Sequence, residues 1–189
     1  MTPARARPPS PADPPGLVLA GGWQAFYAEH VAFIWRSLRR MGVAVASLDD
    51  ATQDVFVVVL RQHREFEGRS SLKTWLYGIA FHVAMRYARS ASRTVAEADL
   101  EQLADPSNSN QEEALARAQA IRTFYSALSK LSPDRRALFV MALDELSAPE
   151  IAEITGTPLN TVYSRLRAAR LDFEAAVRRL QARDAWRQP

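Results

Sequence analysis

The sequence predicts an all-α fold made of two small helical domains joined by a flexible acidic linker, with a helix-turn-helix in the second domain. Apolar residues recur at intervals of three and four along most of the chain, which is the period of a helix packed on one side. The pattern contains no strand pairs or repeats, and seven glycines among 189 residues are few for a fold built on hairpins. These observations favour helices throughout.

The distribution of charge divides the chain into segments that the net value of +3 conceals. Residues 23–93 and 114–189 each carry a net charge of +4, whereas residues 94–113 hold six acidic side chains and no basic one. This acidic strip lacks helical periodicity and would reach roughly 65–70 Å if fully extended. We therefore predict domains at residues 22–93 and 114–185, with a linker at 94–113.

Residues 1–21 are predicted to form a disordered tail, because the first sixteen residues contain six prolines and no apolar period. The same prolines interrupt any signal-peptide core. The longest apolar run in the chain, 137–143, covers seven residues, against about 18 for a membrane span. We expect a soluble cytoplasmic protein with no membrane insertion.

The composition also argues against an enzyme. Cysteine is absent, which excludes disulfides, thiolate zinc sites and cysteine nucleophiles. His30, His63 and His82 are isolated from one another along the chain, so metal-ligand spacing is missing. Glycine-rich phosphate loops and nucleophile elbows are also missing. We expect no metal, no cofactor and no small-molecule substrate.

Three helices are predicted in the first domain. The first runs from Trp23 to Met41, the second from Asp49-Asp50, which can cap it, to about Arg64, and the third starts at Leu72. Their apolar faces are expected to contain Trp23, Phe26, Tyr27, Val31, Ile34 and Leu38, then Val55, Phe56, Val59 and Leu60, then Leu72, Trp75, Leu76, Ile79, Ala80, Val83 and Tyr87.

The loop at residues 66–71 and the helix after it combine aromatic and basic side chains. The helix carries Trp75, Tyr77, Phe81 and Tyr87 beside Lys73, Arg86, Arg89 and Arg93. Rings can stack on unpaired bases while cations neutralise the backbone, so this segment is suited to single-stranded nucleic acid. Trp75 lies on the apolar stripe and is expected in the core, whereas Tyr77 and Phe81 lie off it and are expected at the surface.

Four helices are predicted in the second domain. A helix with Leu115, Ala118, Ile121, Tyr125 and Leu128 on one face precedes a helix opened by Ser132-Pro133, proline being favoured at the first helical position. Ser147 and Glu150 then form a capping box, and Gly156 ends that helix after about two turns. The last helix starts at Thr157-Pro158, and its apolar face holds Val162, Leu166, Ala169, Phe173, Val177 and Leu180.

A short helix, a glycine turn and a longer helix with donors in its first half form the layout of a DNA-binding helix-turn-helix. In that motif the first turns of the second helix reach base edges, and arginines farther along contact phosphates. The alternative is an ordinary helical hairpin with a solvated basic face. The polar face of this helix carries Asn160, Tyr163, Ser164, Arg165, Arg167 and Arg170.

These motifs together resemble the sigma-70 family of RNA polymerase sigma factors. Residues 49–56 (DDATQDVF) and 66–80 (FEGRSSLKTWLYGIA) resemble its second conserved region. The helix-turn-helix, preceded by residues 131–136, is similar to its fourth region. With these two regions in order across a short linker, residues 23–180 resemble the extracytoplasmic-function (ECF) group.

The resemblance implies an initiation factor that binds core RNA polymerase and promoter DNA. The second helix would contact the clamp of the largest polymerase subunit through Asp50, Gln53, Asp54 and Phe56. The loop and third helix would melt and read the minus-ten element through Phe66, Gly68, Arg69, Ser70, Ser71, Lys73, Tyr77, His82, Arg86 and Arg89. The second domain would contact the flap of the second subunit and read the minus-thirty-five element through Asn160, Thr161, Tyr163, Ser164, Arg165, Arg167 and Arg170.

Within the last set, the resemblance implies base reading by Tyr163, Ser164 and Arg167 and phosphate contacts by Arg165 and Arg170. It further implies control by an anti-sigma factor that clamps between the two domains and that can attach the protein indirectly to a membrane. The acidic linker resembles the segment that threads toward the polymerase active site. A plain solvated tether is the alternative for this linker.

Two other functions are compatible with the residues. A stand-alone repressor or activator would hold duplex DNA through its second domain without polymerase, and a helical adaptor would bind no nucleic acid. Initiation from a defined promoter, after the chain is added to sigma-free core polymerase, distinguishes a sigma factor from both.

Overall fold

The computed structural model describes residues 22–90 and 111–187, and its regular secondary structure within these ranges consists of helices. The predicted tail at residues 1–21 and nearly all of the predicted linker lie outside the described residues. Seven α-helices are present in the described part of the chain: α1 Gly22–Met41, α2 Leu48–Gln62, α3 Leu72–Ser90, α4 Gln111–Leu128, α5 Pro133–Leu143, α6 Ala148–Thr155 and α7 Leu159–Arg187. The predicted all-α fold class is confirmed.

Helices α1, α2 and α3 pack against one another and form the N-terminal lobe. Ile34, Leu38, Val55, Val59 and Leu76 are almost fully buried where the three helices meet. Each such aliphatic side chain contributes about 1.5–3 kcal/mol when it leaves water, so the apolar stripes determine how the helices pack. Short 3-10 turns lie at Val45–Ser47 and His63–Glu65.

The start of α2 differs in detail from the prediction. Asp49 and Asp50 lie in the first helical turn, and the capping position belongs to Ser47, whose side chain makes no capping hydrogen bond. Both carboxylates still act favourably there, because negative charge near a helix N-terminus is stabilised by the helix dipole.

Helices α4 to α7 form the C-terminal lobe, in which α7 packs along both α4 and α5. Pro133 occupies the start of α5, as the sequence predicts. The capping box of Ser147 and Glu150 opens α6, and Gly156 ends it in the left-handed conformation with φ of 61°. Glycine adopts this conformation without steric strain, so the chain can turn sharply into α7.

The two lobes contact each other within the described residues. α1 packs on α5, and α3 packs on both α5 and α6. Buried apolar residues of both lobes join one continuous core. At the end of α1, Gly42 has φ of +100°, and a Cβ at this position would lie 2.1 Å from Nη1 of Arg136 in the other lobe.

Candidate nucleic-acid interface

The exposed face of α7 holds most of the residues predicted to read duplex DNA. Asn160, Tyr163, Ser164 and Arg167 line a shallow open concavity of about 450 Å³ together with Ala168 and Leu171. Tyr163 is 55% exposed and Leu171 is 56% exposed. The opposite side of the helix is buried at Val162 and Ala169. This arrangement presents two hydrogen-bonding side chains, one cation and one ring on a single accessible face.

The other three residues predicted for this surface lie beside it. Thr161 and Arg165 are half-buried, whereas Arg170 is exposed. None of the three lines the concavity. The hydroxyl of Ser164 donates to the carbonyl oxygen of Thr161 at 2.9 Å, which orients Ser164 on the first turns of α7. The structure therefore separates the side chains that line the concavity from the three that flank it.

The helix before α7 is held by its capping box. The Glu150 amide donates to Ser147 Oγ at 3.4 Å, and the Ser147 amide donates to Glu150 Oε2 at 2.9 Å. Ser147 Oγ also donates to Glu150 Oε2 at 2.6 Å. The hydrogen bonds from Ser147, followed by one from Thr74, lower the pKa of the Glu150 carboxyl below its usual value. These bonds satisfy amide groups that a helix start would leave free.

The loop before α3 is exposed at Gly68 and Arg69, and Arg69 Nε pairs with Glu67 at 2.9 Å. Phe66 packs its ring 5.2 Å from that of Trp75, and both rings are half-buried. Trp75 was expected in the core, yet the structure leaves part of it accessible beside Phe66. Two partly exposed rings next to an exposed loop are suited to stacking against unpaired bases.

Two serines of this loop lie where α3 begins. Ser70 is half-buried and Ser71 is exposed. Ser71 Oγ accepts a hydrogen bond from the Thr74 amide at 3.0 Å, which makes Ser71 a cap for the helix. The loop and the start of α3 are thus held in a defined relation.

Three of the cationic or titratable residues predicted on α3 are exposed: His82, Arg86 and Arg89. They recur at intervals of four and three, and they share the helix face that carries Trp75 seven residues earlier. Arg89 Nε donates to the Met85 carbonyl at 3.2 Å. The exposed strip of α3 is therefore one ring followed by three polar side chains.

Two surface predictions for α3 are wrong. Tyr77 is fully buried and Phe81 is 9% exposed. Tyr77 packs its ring 5.1 Å from Phe33, and its hydroxyl oxygen accepts a hydrogen bond from Ser37 Oγ at 3.2 Å. The reason is that α3 contacts helices on several sides, so residues off the main apolar stripe are covered as well. Tyr77 is excluded as a DNA contact in this arrangement.

Lys73 lies apart from the exposed strip. Its ammonium group donates to the main-chain carbonyl of Asp144 in the C-terminal lobe at 2.8 Å. The neighbouring Thr74 is buried and donates through Oγ1 to Glu150 Oε1 at 2.8 Å. The first turn of α3 therefore contacts the C-terminal lobe through both side chains.

The residues predicted to contact a protein partner lie on α2, and they differ in how accessible their side chains are. Asp50 and Gln53 are exposed. Asp54 accepts hydrogen bonds from Arg86 at 2.6 Å and from Tyr87 at 2.9 Å. Burial and this hydrogen bond raise the pKa of the Tyr87 phenol. Asp54 thus connects α2 to the exposed strip of α3.

The prediction that Phe56 contacts a partner is wrong for its side chain, which is 3% exposed. Its ring lies 4.6 Å from Tyr27 and 6.0 Å from Trp23, both on α1. The aromatic residues at the start of α1 fill the space above Phe56 and make it part of the core.

Sequence reasoning missed two side chains on α2. Val57 is 44% exposed and Leu60 is 51% exposed, although Leu60 was placed on the buried face. Together with Asp50 and Gln53 they follow a spacing of three, four and three residues, which puts them along one side of a helix. Counted from Asp50, this spacing is the sequence signal that could have predicted the exposure of Val57 and Leu60. We name these four residues the α2 stripe.

The described residues offer no group of His, Asp or Glu side chains that could hold a metal ion. No helix in residues 22–90 or 111–187 is long and apolar enough to cross a bilayer.

Comparison with known proteins agrees with this layout. The family description "Sigma-70 region 2" matches residues 26–94, and "Sigma-70, region 4" matches residues 121–173. The sigma factor YlaC of Bacillus subtilis is 31% identical over 155 residues, which cover 80% of this chain and 87% of that protein. The chain belongs to the sigma-70 family. As a sigma factor it is a transcription initiation factor and not a classical enzyme.

Other relatives place this sigma factor in the ECF group, as the sequence predicts. The ECF sigma factor SigC of Mycobacterium tuberculosis is 32% identical over 78% of each chain. The ECF sigma-E factor of Escherichia coli K12 is 30% identical over 68% of this chain and 72% of its own length. The predicted domain boundaries stay predictions, since the matched ranges are narrower than 114–185 in the second domain.

Two solved structures share the fold of this sigma factor. The sigma factor RpoE of Bartonella quintana, in complex with the anti-sigma factor NepR, superposes with a TM-score of 0.63 at 19% identity, covering 82% of this chain and 96% of that one. CnrH, in complex with the cytosolic domain of CnrY, superposes with a TM-score of 0.57 at 22% identity over 82% and 89%.

Proposed function

We propose that this ECF sigma factor binds core RNA polymerase through the N-terminal lobe and reads promoter DNA with both lobes. The observation that supports this most is the presence of two separate surfaces: an accessible face on α7, and a strip on α3 that combines the half-buried ring of Trp75 with exposed arginines. One surface has the chemistry for duplex reading, and the other has the chemistry for unpaired bases. A stand-alone repressor would need only the first.

The minus-thirty-five element is assigned to the central face of α7. Tyr163, Ser164 and Arg167 would contact base edges, since they line the concavity together with Asn160. Arg170 lies exposed at the edge and would contact phosphate. Arg165 and Thr161 are half-buried. They would contact the DNA backbone beside the groove.

The minus-ten element is assigned to the loop at residues 66–71 and to His82, Arg86 and Arg89. Phe66 and Trp75 would offer rings to a base taken out of the stack, and Arg86 and Arg89 would neutralise the strand backbone. Arg86 already pairs with Asp54, so binding DNA would exchange that carboxylate for a phosphate.

The α2 stripe is assigned to the clamp of the largest polymerase subunit. Two exposed apolar side chains, Val57 and Leu60, lie beyond the polar Asp50 and Gln53, and a partner helix would cover all four from one side. In such a contact the apolar side chains would be buried, and the charged side chain would favour a partner of opposite charge. Asp54 is a weaker probe of this contact because its carboxylate is already shared by Arg86 and Tyr87.

The remaining partners follow from the same family. We propose that the C-terminal lobe contacts the flap of the second polymerase subunit and that an anti-sigma factor binds this chain, as NepR binds RpoE in one solved structure of the same fold. The protein would act in the cytoplasm, where promoter DNA is found, without catalytic activity, metal or cofactor.

The test uses sigma-free core polymerase and the full chain. The parent protein is expected to copurify with the core and to start transcription from a defined promoter. The double substitution Val57→Glu/Leu60→Glu is expected to lose copurification while keeping its helical circular dichroism, because both side chains are exposed. Leu115→Glu, an exposed apolar residue at the start of α4, is the matched control and should behave as the parent.

Failure of the parent chain to copurify with core polymerase would contradict the proposal. Tight binding of the parent to duplex DNA without polymerase, together with no initiation, would instead support a stand-alone regulator. If the parent and the double variant copurify equally with core polymerase, the α2 stripe is not part of the contact.

A further inference from the structure

Two parallel rows of side chains form the concavity on the exposed face of α7, and within each row the residues lie four positions apart. Residues at this interval lie one above the other along a helix. One row is a ridge of large, exposed side chains: Tyr163, Arg167 and Leu171. The other row consists of short side chains, and we name it the trough of α7: Asn160, Ser164 and Ala168.

The trough gives a base edge direct access to the surface of α7. Large side chains keep a helix away from the bases in a major groove, whereas serine and alanine allow a close approach. The concavity is open, and Ser164 is exposed at the middle of the trough. The groups that the trough presents to DNA are therefore those of short side chains held close to the backbone of α7.

The hydrogen bond of Ser164 determines which group its hydroxyl presents. Ser164 Oγ donates its proton to the carbonyl oxygen of Thr161 at 2.9 Å. A carbonyl oxygen only accepts, and a hydroxyl has only one proton, so the lone pairs of Ser164 Oγ remain for a ligand. Ser164 thus offers an acceptor to DNA. The donors on base edges in the major groove are the N6 amino group of adenine and the N4 amino group of cytosine.

Ala168 distinguishes between these two bases. Its half-buried side chain is a methyl group without hydrogen-bonding capacity, one turn beyond Ser164 and about 5–6 Å from it between Cβ atoms. An A·T pair presents the thymine methyl group on the same edge as the adenine amino group, and this methyl can pack against alanine. A C·G pair presents the guanine O6 and N7 acceptors instead, and Ala168 cannot donate to them.

We propose that the trough of α7 specifies one A·T pair of the minus-thirty-five element. Ser164 Oγ accepts a hydrogen bond from adenine N6, and Ala168 Cβ packs against the methyl group of the paired thymine. Asn160 and Arg167 contact the neighbouring pairs. The proposal rests on the proposed function and adds to it the base pair that this surface recognises.

The test uses the full chain bound to core polymerase and duplex DNA that is randomised across both promoter elements. Repeated selection identifies the sequence that the parent complex prefers. Each A·T pair in the selected minus-thirty-five element is then altered in two ways. Purine deoxyriboside in place of deoxyadenosine removes the N6 amino group, and deoxyuridine in place of thymidine removes the methyl group. Competition binding measures the affinity for each DNA.

One A·T pair is expected to respond to both changes in the parent complex. Removing the amino group should weaken binding about threefold to tenfold, as the loss of one hydrogen bond does. Removing the methyl group should weaken binding about fourfold, as the loss of one buried methyl does. Ser164→Ala should abolish the effect of the amino group and keep that of the methyl group. Ala168→Gly should do the reverse.

Ala175→Gly is the matched control for Ala168→Gly. Ala175 is a half-buried alanine about two turns farther along α7, and it does not line the concavity. Both substitutions carry the same loss of helix propensity, so a general weakening of α7 would appear in both variants. The control should keep the full response to both altered bases.

The proposal is wrong if Ser164→Ala responds to the loss of the amino group as strongly as the parent does. It is also wrong if the selected element contains no A·T pair that responds to both altered bases. These results leave the proposed function intact, because the parent complex still selects a promoter. If the parent complex selects no minus-thirty-five sequence, the proposed function fails, and the assignment of an A·T pair fails with it.

Discussion

Helices α3 and α7 carry the two candidate DNA surfaces, but they are embedded differently in the molecule. α3 contacts α1, α2, α5 and α6, and its buried residues point to nearly every side. α7 packs on α4, α5 and α6 along one side and leaves Tyr163, Arg167 and Leu171 accessible. A helix with neighbours on most sides exposes only a narrow strip, whereas a helix at the rim exposes half its circumference.

The difference determines what a substitution in each helix can report. Most positions on α3 serve the core and the candidate site together, so a loss of DNA binding there can follow from unfolding. Positions on the outer face of α7 make few contacts within the protein, so a loss there reports binding. Four experiments use this contrast, and they are ordered by expected effect.

Replacing a tyrosine in each helix gives the largest contrast. Tyr77→Ala is expected to lower the free energy of unfolding by about 3–5 kcal/mol, because it removes a fully buried ring and its hydrogen bond with Ser37. Tyr163→Ala should change it by less than about 0.5 kcal/mol, since the side chain is 55% exposed. Urea unfolding followed by circular dichroism measures both. Similar losses would mean that α7 is embedded as deeply as α3.

The second experiment separates two arginines on α7 by their binding to duplex minus-thirty-five DNA. Arg167→Ala is expected to lose about 1–3 kcal/mol of discrimination between the preferred and a changed sequence, as for a base contact. Arg170→Ala should weaken all sequences alike and reduce the salt dependence of binding by about one unit of slope. Fluorescence anisotropy titrations at several salt concentrations measure both quantities. If Arg170→Ala loses sequence discrimination and Arg167→Ala only reduces the salt dependence, Arg170 contacts the bases and Arg167 contacts phosphate.

The third experiment tests the helix that lies between α3 and α7. Ser147→Ala removes the cap of α6 and is expected to cost about 1 kcal/mol of stability. Because α6 packs on both helices, we expect this loss to appear in the unfolding of the whole described structure, followed by circular dichroism in urea. Ser164→Ala, an exposed serine on α7, is the control and should leave stability unchanged.

The fourth experiment concerns pH and has the smallest expected effect. The pKa of Glu150 is lower in the folded protein than its ordinary value of 4.5, through its bonds from Ser147 and Thr74. A carboxyl group whose pKa is lower in the folded state stabilises the fold at pH values above its pKa in the unfolded state. This stabilisation is lost as the pH falls through the pKa of the folded state. The stability difference between the parent and Glu150→Gln should therefore be present at pH 7 and shrink below pH 4.5. If the stability difference between the two proteins does not change with pH, the lowered pKa of Glu150 is not its cause.

The contrast between the helices also explains what the sequence could predict. The face of α7 was predictable because one apolar stripe, from Val162 to Ala169 and beyond, is covered from one side only. The capping box and Gly156 depend on local geometry and were predictable for the same reason. The helical fold follows from many such local signals.

The errors share a different cause. Tyr77 and Phe81 are covered because α3 also meets the C-terminal lobe and the inner side of α1, contacts between residues far apart in the chain. Phe56 is covered by Trp23 and Tyr27, which a pattern confined to α2 cannot indicate. Val57 and Leu60 are apolar and exposed, and apolar spacing alone does not distinguish a core from a docking surface.

The turn at Gly42 has a consequence for how this sequence can change over time. The backbone there has φ of +100°, and a Cβ would lie 2.1 Å from the guanidinium of Arg136, which in turn donates to the Ser129 and Leu131 carbonyls at the end of α4. A side chain at position 42 would be strained by this positive φ and would also have to displace the Arg136 guanidinium. Relatives that keep the contact between α1 and α5 should therefore retain glycine at position 42, even where the residue at position 136 is smaller.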